Sequence, residues 1–180
     1  PLKKGSPEAK KLLTQVKELE NEGYEFEAAE ASFELLIRKE LNSYEPLFTL
    51  QEYRCMFHRI RPHEDDGGFE ACSATVKLEV EGRERYSAAD GDGPINALDG
   101  ALRKALEAHY PEIHNIRLSD YRVRISDSQL GSAAKTRVLI DSTDGEQEWS
   151  TVGVSFNIIR ASWHALVDSV EYYLLRRQGK

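Results

Sequence analysis

Between residues 7 and 41 the apolar positions recur about every 3.6 residues, which predicts two helices. Leu12, Leu13, Val16 and Leu19 form one stripe, and "NEG" (Asn21 to Gly23) stops it, with Gly23 placed to cap the helix C-terminus. Phe26, Ala29, Phe33, Leu36 and Ile37 form the next stripe, which "LNSYEP" ends at Pro46. Two short helices bury little by themselves, so this arm is expected to pack on a larger body or on a partner chain.

Beyond Leu47 the period shortens to two. Val76, Leu78 and Val80 alternate with Thr75, Lys77 and Glu79, as in a half-buried strand, and "EGR" (Glu81 to Arg83) turns the chain into a second strand. A helix from Pro94 to His109 follows, with Ile95, Leu98, Ala101, Leu102, Ala105 and Leu106 on one face and proline at its first position. The scheme then recurs. Tyr121, Val123 and Ile125 alternate with Arg122 and Arg124, and "KTRVLIDSTDGEQEWSTVGVSFNII" reads strand, Asp-Gly turn, strand. On the last of these strands Val152, Val154, Phe156 and Ile158 are expected on one face. A final helix, Ala161 to Arg176, turns Ala165, Leu166, Val170, Tyr173 and Leu174 inward.

The two halves superpose with Ala101–Leu102 and Ala165–Leu166 at matching places, which predicts two copies of a β-β-β-α unit. The expected fold is therefore α+β: two β-β-β-α units forming a layered, pseudo-twofold domain, preceded by linker helices. The boundaries implied are a helical segment 1–46 and a domain 47–180, with repeats at about 47–112 and 113–180.

Bulk composition narrows the function classes. Of 180 residues, 40% are hydrophobic and 31% charged, ordinary for a globular protein, and the net charge of -7 disfavours nucleic acid or an anionic membrane as partner. No apolar run reaches the roughly 20 residues of a membrane helix, and no signal peptide is visible. The two cysteines, Cys55 and Cys72, read as free thiols of a reducing, cytosolic setting, although neighbouring positions on paired strands remain open. The chain begins at Pro1 and its one methionine is Met56, which suggests a piece of a longer protein.

Catalytic patterns are sparse. Phosphate-loop, C-x-x-C, H-E-x-x-H and G-x-S-x-G motifs do not occur. "HRIRPHEDD" gathers His58, His63, Glu64, Asp65 and Asp66, but histidines five apart around a proline make a poor ligand set, so no metal is assigned. His109 and His114 read as helix-end residues, and Ser155 and Ser162 lack a His–carboxylate pair nearby. "AADGDGPINALDGAL" (Ala88 to Leu102) stands out. Two glycines and a proline lead into a helix whose free N–H groups suit a small carboxylate, without the third glycine of a dinucleotide site. Apolar neighbours such as Ile95, Leu118, Val154 and Phe156 would take an aliphatic side chain, which together describes an amino-acid site. The bland alternative, glycines that only turn a strand into a helix, stays open.

Five blocks carry a resemblance across nearly the whole chain: "GYEFEAAEASFELLIRKEL", "AADGDGPINALDGALRKAL", "LSDYRVRI", "GSAAKTRVLIDS" and "STVGVSFNIIRASWHALVDSVEYYL". They resemble, in order, the C-terminal part of the 2-isopropylmalate synthase/citramalate synthase family, most closely its citramalate synthase branch. The resemblance implies linker helices and a regulatory domain that dimerises and binds a feedback amino acid, isoleucine in the citramalate branch or leucine in the other. Catalysis, by the same resemblance, belongs to a barrel absent from this chain. That barrel condenses acetyl-CoA with pyruvate or 2-oxoisovalerate around a divalent metal in a cytoplasmic enzyme, so neither metal nor cofactor is expected here.

The implied effector residues are Gly91, Asp92, Gly93, Ile95, Asn96 and Ala97 on one wall and Leu118, Tyr121 and Ile125 on another. Ala133 and Ala134 lie beyond, and Val154 and Phe156 take the matching place in the second unit. Phe156 departs from the family pattern, which has a polar residue or proline there; its bulk would narrow the pocket, leaving a dimerising domain without effector as the alternative. Readings from other classes are a stand-alone amino-acid-binding module and a catalytic domain using "HEDD".

Overall fold

The computed structural model describes residues 6–41, 44–60, 69–125 and 134–179. Its elements run α1 (Pro7–Glu22), a 3-10 turn (Phe26–Ala28), α2 (Glu30–Glu40), β1 (Thr49–Ile60), β2 (Phe69–Val80), β3 (Arg83–Gly91) and α3 (Pro94–Leu106). A second 3-10 turn (Pro111–Asn115) leads to β4 (Arg117–Ile125), β5 (Thr136–Thr143), β6 (Glu148–Ser155) and α4 (Ile158–Arg177). The strands make two antiparallel three-stranded sheets, β1-β2-β3 and β4-β5-β6. The fold is α+β, built from two successive β-β-β-α units. By contact the chain divides into Pro46–His114 and a second unit in which Pro1–Glu45 joins Asn115–Lys180.

The repeat extends to single hydrogen bonds. The first strand of each sheet carries an irregularity at the matching place, between Leu50 and Glu52 in β1 and between Leu118 and Asp120 in β4. Ser87 on β3 donates to the Ala101 carbonyl on α3 at 2.6 Å, and Thr151 on β6 donates to the Ala165 carbonyl on α4 at 2.8 Å. Each hydroxyl pins a helix to its own sheet by using the spare lone pair of a helical carbonyl.

In the first unit the sheet buries one face. Cys72, Ala74, Val76, Leu78 and Val80 of β2 are buried alternately, under the Ala97, Leu98, Ala101 and Leu102 side of α3. The hairpin between β2 and β3 has left-handed φ at Glu81 (51°) and Gly82 (73°), the geometry that matches strand twist. Cys55 lies opposite Ala74 and Cys72 opposite Phe57, so the thiols sit on neighbouring strands two residues out of register, and both are free.

The second unit is thicker. Val138, Leu139 and Ile140 are consecutive and all buried, as are Thr151 to Val154, because α4 covers one side of β5 and β6 and the helical arm covers the other. Ala29, Leu139, Val152 and Val154 form the core on the arm side, with Tyr24 and Phe26 against it. Ser32 bonds to both neighbours: its hydroxyl donates to Asp168 Oδ2 on α4 at 2.7 Å and accepts from the Val152 N–H at 3.0 Å. Arg137 adds a bond to the Gly23 carbonyl and an ion pair with Glu25. Gly23 caps α1 in the left-handed region, φ 107°, as expected.

Three details differ from the sequence expectation. The buried positions of α2 are Ala31, Ser32 and Leu35, because the face that reaches Asp168 and Val152 turns inward rather than the Phe33–Ile37 side. The α3 helix ends at Leu106, before His109. Strand β6 ends at Ser155, because Asn157 caps a helix that already starts at Ile158; Phe156 and Ile158 therefore do not continue the strand face.

Candidate functional site

The turn from β3 into α3 carries the "GDG" residues. Gly91 is fixed by close approach: a Cβ there would stand 2.5 Å from Asn96 Oδ1 and 2.6 Å from the Ala97 nitrogen. Gly93 is different. Its φ is -165°, extended backbone that any residue adopts, and a Cβ would meet nothing within 4 Å. It is the N-cap of α3 and supplies no side-chain hydrogen bond, with Pro94 next. The Asn96 amide oxygen bends back to accept from the Asp92 N–H at 3.3 Å. Asp92 and Asn96 are exposed, Gly91, Gly93 and Ile95 half-buried, and Ala97 buried.

The equivalent helix start in the second unit is closed. Asn157 Oδ1 accepts from the N–H of Ile159 at 2.8 Å and of Arg160 at 3.2 Å. These are the donors that a capping side chain normally satisfies. The start of α3 thus presents N–H groups that its cap residue does not use, at the positive end of a helix dipole, while the start of α4 is occupied by its own side chain. Asn157 and Gly93 before their helices are legible in the sequence; the hydrogen bonds that set the two helix starts apart appear only in the structure.

The candidates of the second unit fall into two groups. Tyr121, Val123 and Ile125 share one face of β4, an edge strand, and are 37%, 40% and 61% exposed. The Tyr121 hydroxyl lies 2.7 Å from Ser162 Oγ on α4, which in turn donates to the Ile158 carbonyl. Phe156 is 66% exposed, with Lys135 Nζ 5.5 Å over its ring, and Leu118 is half-buried beside the irregularity in β4. Val154 belongs elsewhere: it is core beneath the helical arm, so its side chain is not a wall of an open site. Ala134 is buried, and Ala133 lies outside the described residues.

Among the described residues no three His, Cys, Asp or Glu side chains gather as metal ligands. His63, Glu64, Asp65 and Asp66 of the "HEDD" reading lie outside those residues. No described helix is long and apolar enough to cross a membrane.

The chain matches the family model described as the LeuA allosteric (dimerisation) domain, over residues 27–174. It belongs to the LeuA dimerisation domain family. The match starts inside the 3-10 turn and ends near the end of α4, so this domain takes in α2, both sheets and both long helices that back them. Relatives of the LeuA domain are found in two kinds of enzyme. The (R)-citramalate synthase of Aquifex aeolicus is 52% identical over 95% of this chain and 32% of its own length. The (R)-citramalate synthase of Synechocystis is 46% identical over 96% of this chain and 31% of its own length. A 2-isopropylmalate synthase of Aquifex aeolicus is 33% identical over 59% of this chain. The chain spans about a third of the length of the citramalate synthases it matches.

Proposed function

We propose that this LeuA domain is the feedback-regulatory part of a citramalate synthase, the enzyme joining pyruvate to acetyl-CoA on the way to isoleucine in the cytoplasm. Isoleucine is the effector. Its carboxylate sits at the open N-terminus of α3, rimmed by Gly91, Asp92 and Gly93, on the N–H groups around Ile95 and Asn96. The observation that carries this reading is the difference between the two repeats: Asn157 fills the start of α4, and nothing of the kind fills the start of α3. The remaining effector residues, Leu118, Tyr121, Ile125, Ala133, Ala134 and Phe156, rest on the family resemblance alone.

The exposed row of Tyr121, Val123 and Ile125 on an edge strand is a surface a second copy would cover, in keeping with a homodimer. Within the second unit a hydrogen-bonded route joins that row to the arm. Tyr121 contacts Ser162 at one end of α4, and Asp168 further along α4 contacts Ser32 on α2. An effector that favours one position of α4 would bias the arm, and coupling of this kind is worth about 1–3 kcal/mol. The divalent metal and acetyl-CoA belong to the catalytic part of the parent enzyme.

Calorimetric titration of the chain with isoleucine, then leucine, tests the reading. Saturable heat with isoleucine preferred supports it, and leucine preferred moves the chain to the 2-isopropylmalate branch. Gly93→Leu is the companion variant: its φ and surrounding space admit a side chain, so the fold stays intact while the carboxylate position is blocked. Unchanged affinity in Gly93→Leu would refute the site. Silence from both amino acids with a dimeric wild-type chain would leave dimerisation as the domain's role.

A further inference from the structure

The second unit holds a cavity of about 330 Å³, lined by residues from the arm, β6 and α4. It shares no side chain with the α3 N-terminus, and its size is at the lower end of the roughly 300–1,000 Å³ of small-molecule sites. One side is apolar, formed by Phe26, Leu36 and Trp163 among others. The other carries Asp168 and Lys39, an ion pair at the outer limit of contact. Asp168 is bonded through Oδ2 to Ser32, while its Oδ1 stands 4.0 Å from Lys39 Nζ, beyond hydrogen-bond range. The Asp168 side chain is 22% exposed and the Lys39 side chain 47%. Lys39, whose Nζ also stands 5.7 Å from the Tyr44 ring centroid, has no side-chain hydrogen bond of the kind that Ser32 gives Asp168, so it is held less firmly. Burial, and then Arg160 and Lys39, lower the pKa of His164, also in the lining, so its charged form is disfavoured there.

This arrangement selects against simple ions. A lone ammonium reaching Asp168 would meet Lys39, and a lone carboxylate reaching Lys39 would meet Asp168. A zwitterion satisfies both and brings no net charge into a partly buried site. We propose that the cavity is a second ligand site, for a small zwitterion with a large apolar side chain, of the class of the aromatic α-amino acids. Its ammonium bonds Asp168 Oδ1, its carboxylate bonds Lys39, and its ring lies against Phe26, Leu36 and Trp163. Such a ligand touches α2 and α4 at once and tightens the arm on its sheet. The proposal is independent of the effector reading above.

The test uses the intact chain, labelled with nitrogen-15, and the indole N–H signals of its two tryptophans. Phenylalanine, phenethylamine and hydrocinnamate are titrated in turn; the last two each lack one charge. Phenylalanine is expected to shift the Trp163 signal saturably and leave Trp149 in place, with each analogue weaker by about tenfold or more. Lys39→Met, a substitution at a half-exposed helix position, should bring phenylalanine down to the level of phenethylamine, and Gly93→Leu should leave it unchanged. Equal affinity for the three probes, or no saturable shift at Trp163, overturns the proposal. So does a shift that Gly93→Leu abolishes and Lys39→Met spares. Because the probe series runs on the unmodified chain, the outcome does not depend on how Lys39→Met folds.

Discussion

Replacing Gly153 by alanine adds one methyl group at the point where α4 crosses β6. That carbon would stand 2.0 Å from the Ala161 carbonyl oxygen, 2.9 Å from the Ala165 nitrogen and 3.0 Å from the Ala161 carbonyl carbon. All three are helix backbone, so no side chain can rotate away. Carbon contacts settle near 3.5 Å, so α4 must withdraw by roughly 1 Å or more, enough to forfeit a quarter to a half of each dispersion contact it makes with the sheet. The Thr151–Ala165 bond, at 2.8 Å, stretches with it. Overpacking of this kind costs about 1–3 kcal/mol and more when backbone is the obstacle. The lower entropy of the unfolded alanine chain returns about 0.4–1 kcal/mol. The net expectation is a loss of about 1–2 kcal/mol, read as a urea midpoint lower by about 0.5–1 M at unchanged slope. Intrinsic fluorescence of Trp149 and Trp163, both in this unit, follows the transition. Gly93→Ala is the control, with no atom within 4 Å, and should stay within about 0.5 kcal/mol of the parent. A Gly153→Ala loss below about 0.5 kcal/mol would mean that the strand–helix crossing is not tight, and the packing argument fails.

Ser32→Ala removes a buried bridge and leaves the Val152 N–H and Asp168 without it, which should cost about 2–4 kcal/mol by urea denaturation. Gly93→Asp gives α3 the side-chain cap it lacks; it should gain a few tenths of a kcal/mol in stability while abolishing isoleucine heat, whereas Asn157→Ala should lose about 1 kcal/mol. Burial pushes the Asp168 carboxyl up, against the pull of Lys39 and Ser32, so the folded state holds that proton more tightly than the unfolded one. Its contribution is therefore complete below the unfolded value near pH 4 and falls away as pH rises through the raised folded value. Thermal melts across this range should show the parent losing ground to Asp168→Asn as pH increases, and a parallel pair of curves would contradict the assignment.

Much of the fold was legible because each element obeys one period. The alternation of Val76, Leu78 and Val80, the glycine stop after α1 and the face of α3 came from spacing alone. The double burial of β5 and β6 did not, although its signal is the unbroken run Val138–Leu139–Ile140, which fits a strand covered on both faces. Reading Val154 and Phe156 as one face failed at Asn157, whose preference for helix caps outweighed the alternation. In the candidate site, Gly91 and Gly93 look equal in sequence. Only the structure shows that the first is forced by Asn96 and Ala97 while the second opens onto free space. The cavity beside Asp168 had no sequence signature at all, since its walls come from segments more than a hundred residues apart.

That separation bears on how the chain is made. Ser32 and Asp168 are 136 residues apart, and every partner that the arm has on β5, β6 and α4 is synthesised after the whole of Pro46–His114. At roughly 5–20 residues per second, the arm leaves the ribosome on the order of ten seconds before the surface it must cover. During that interval the first sheet and α3 can close on their own, since their contacts lie within one stretch of chain. The arm meets its partners Asp168 and Val152 only once β6 and α4 have emerged.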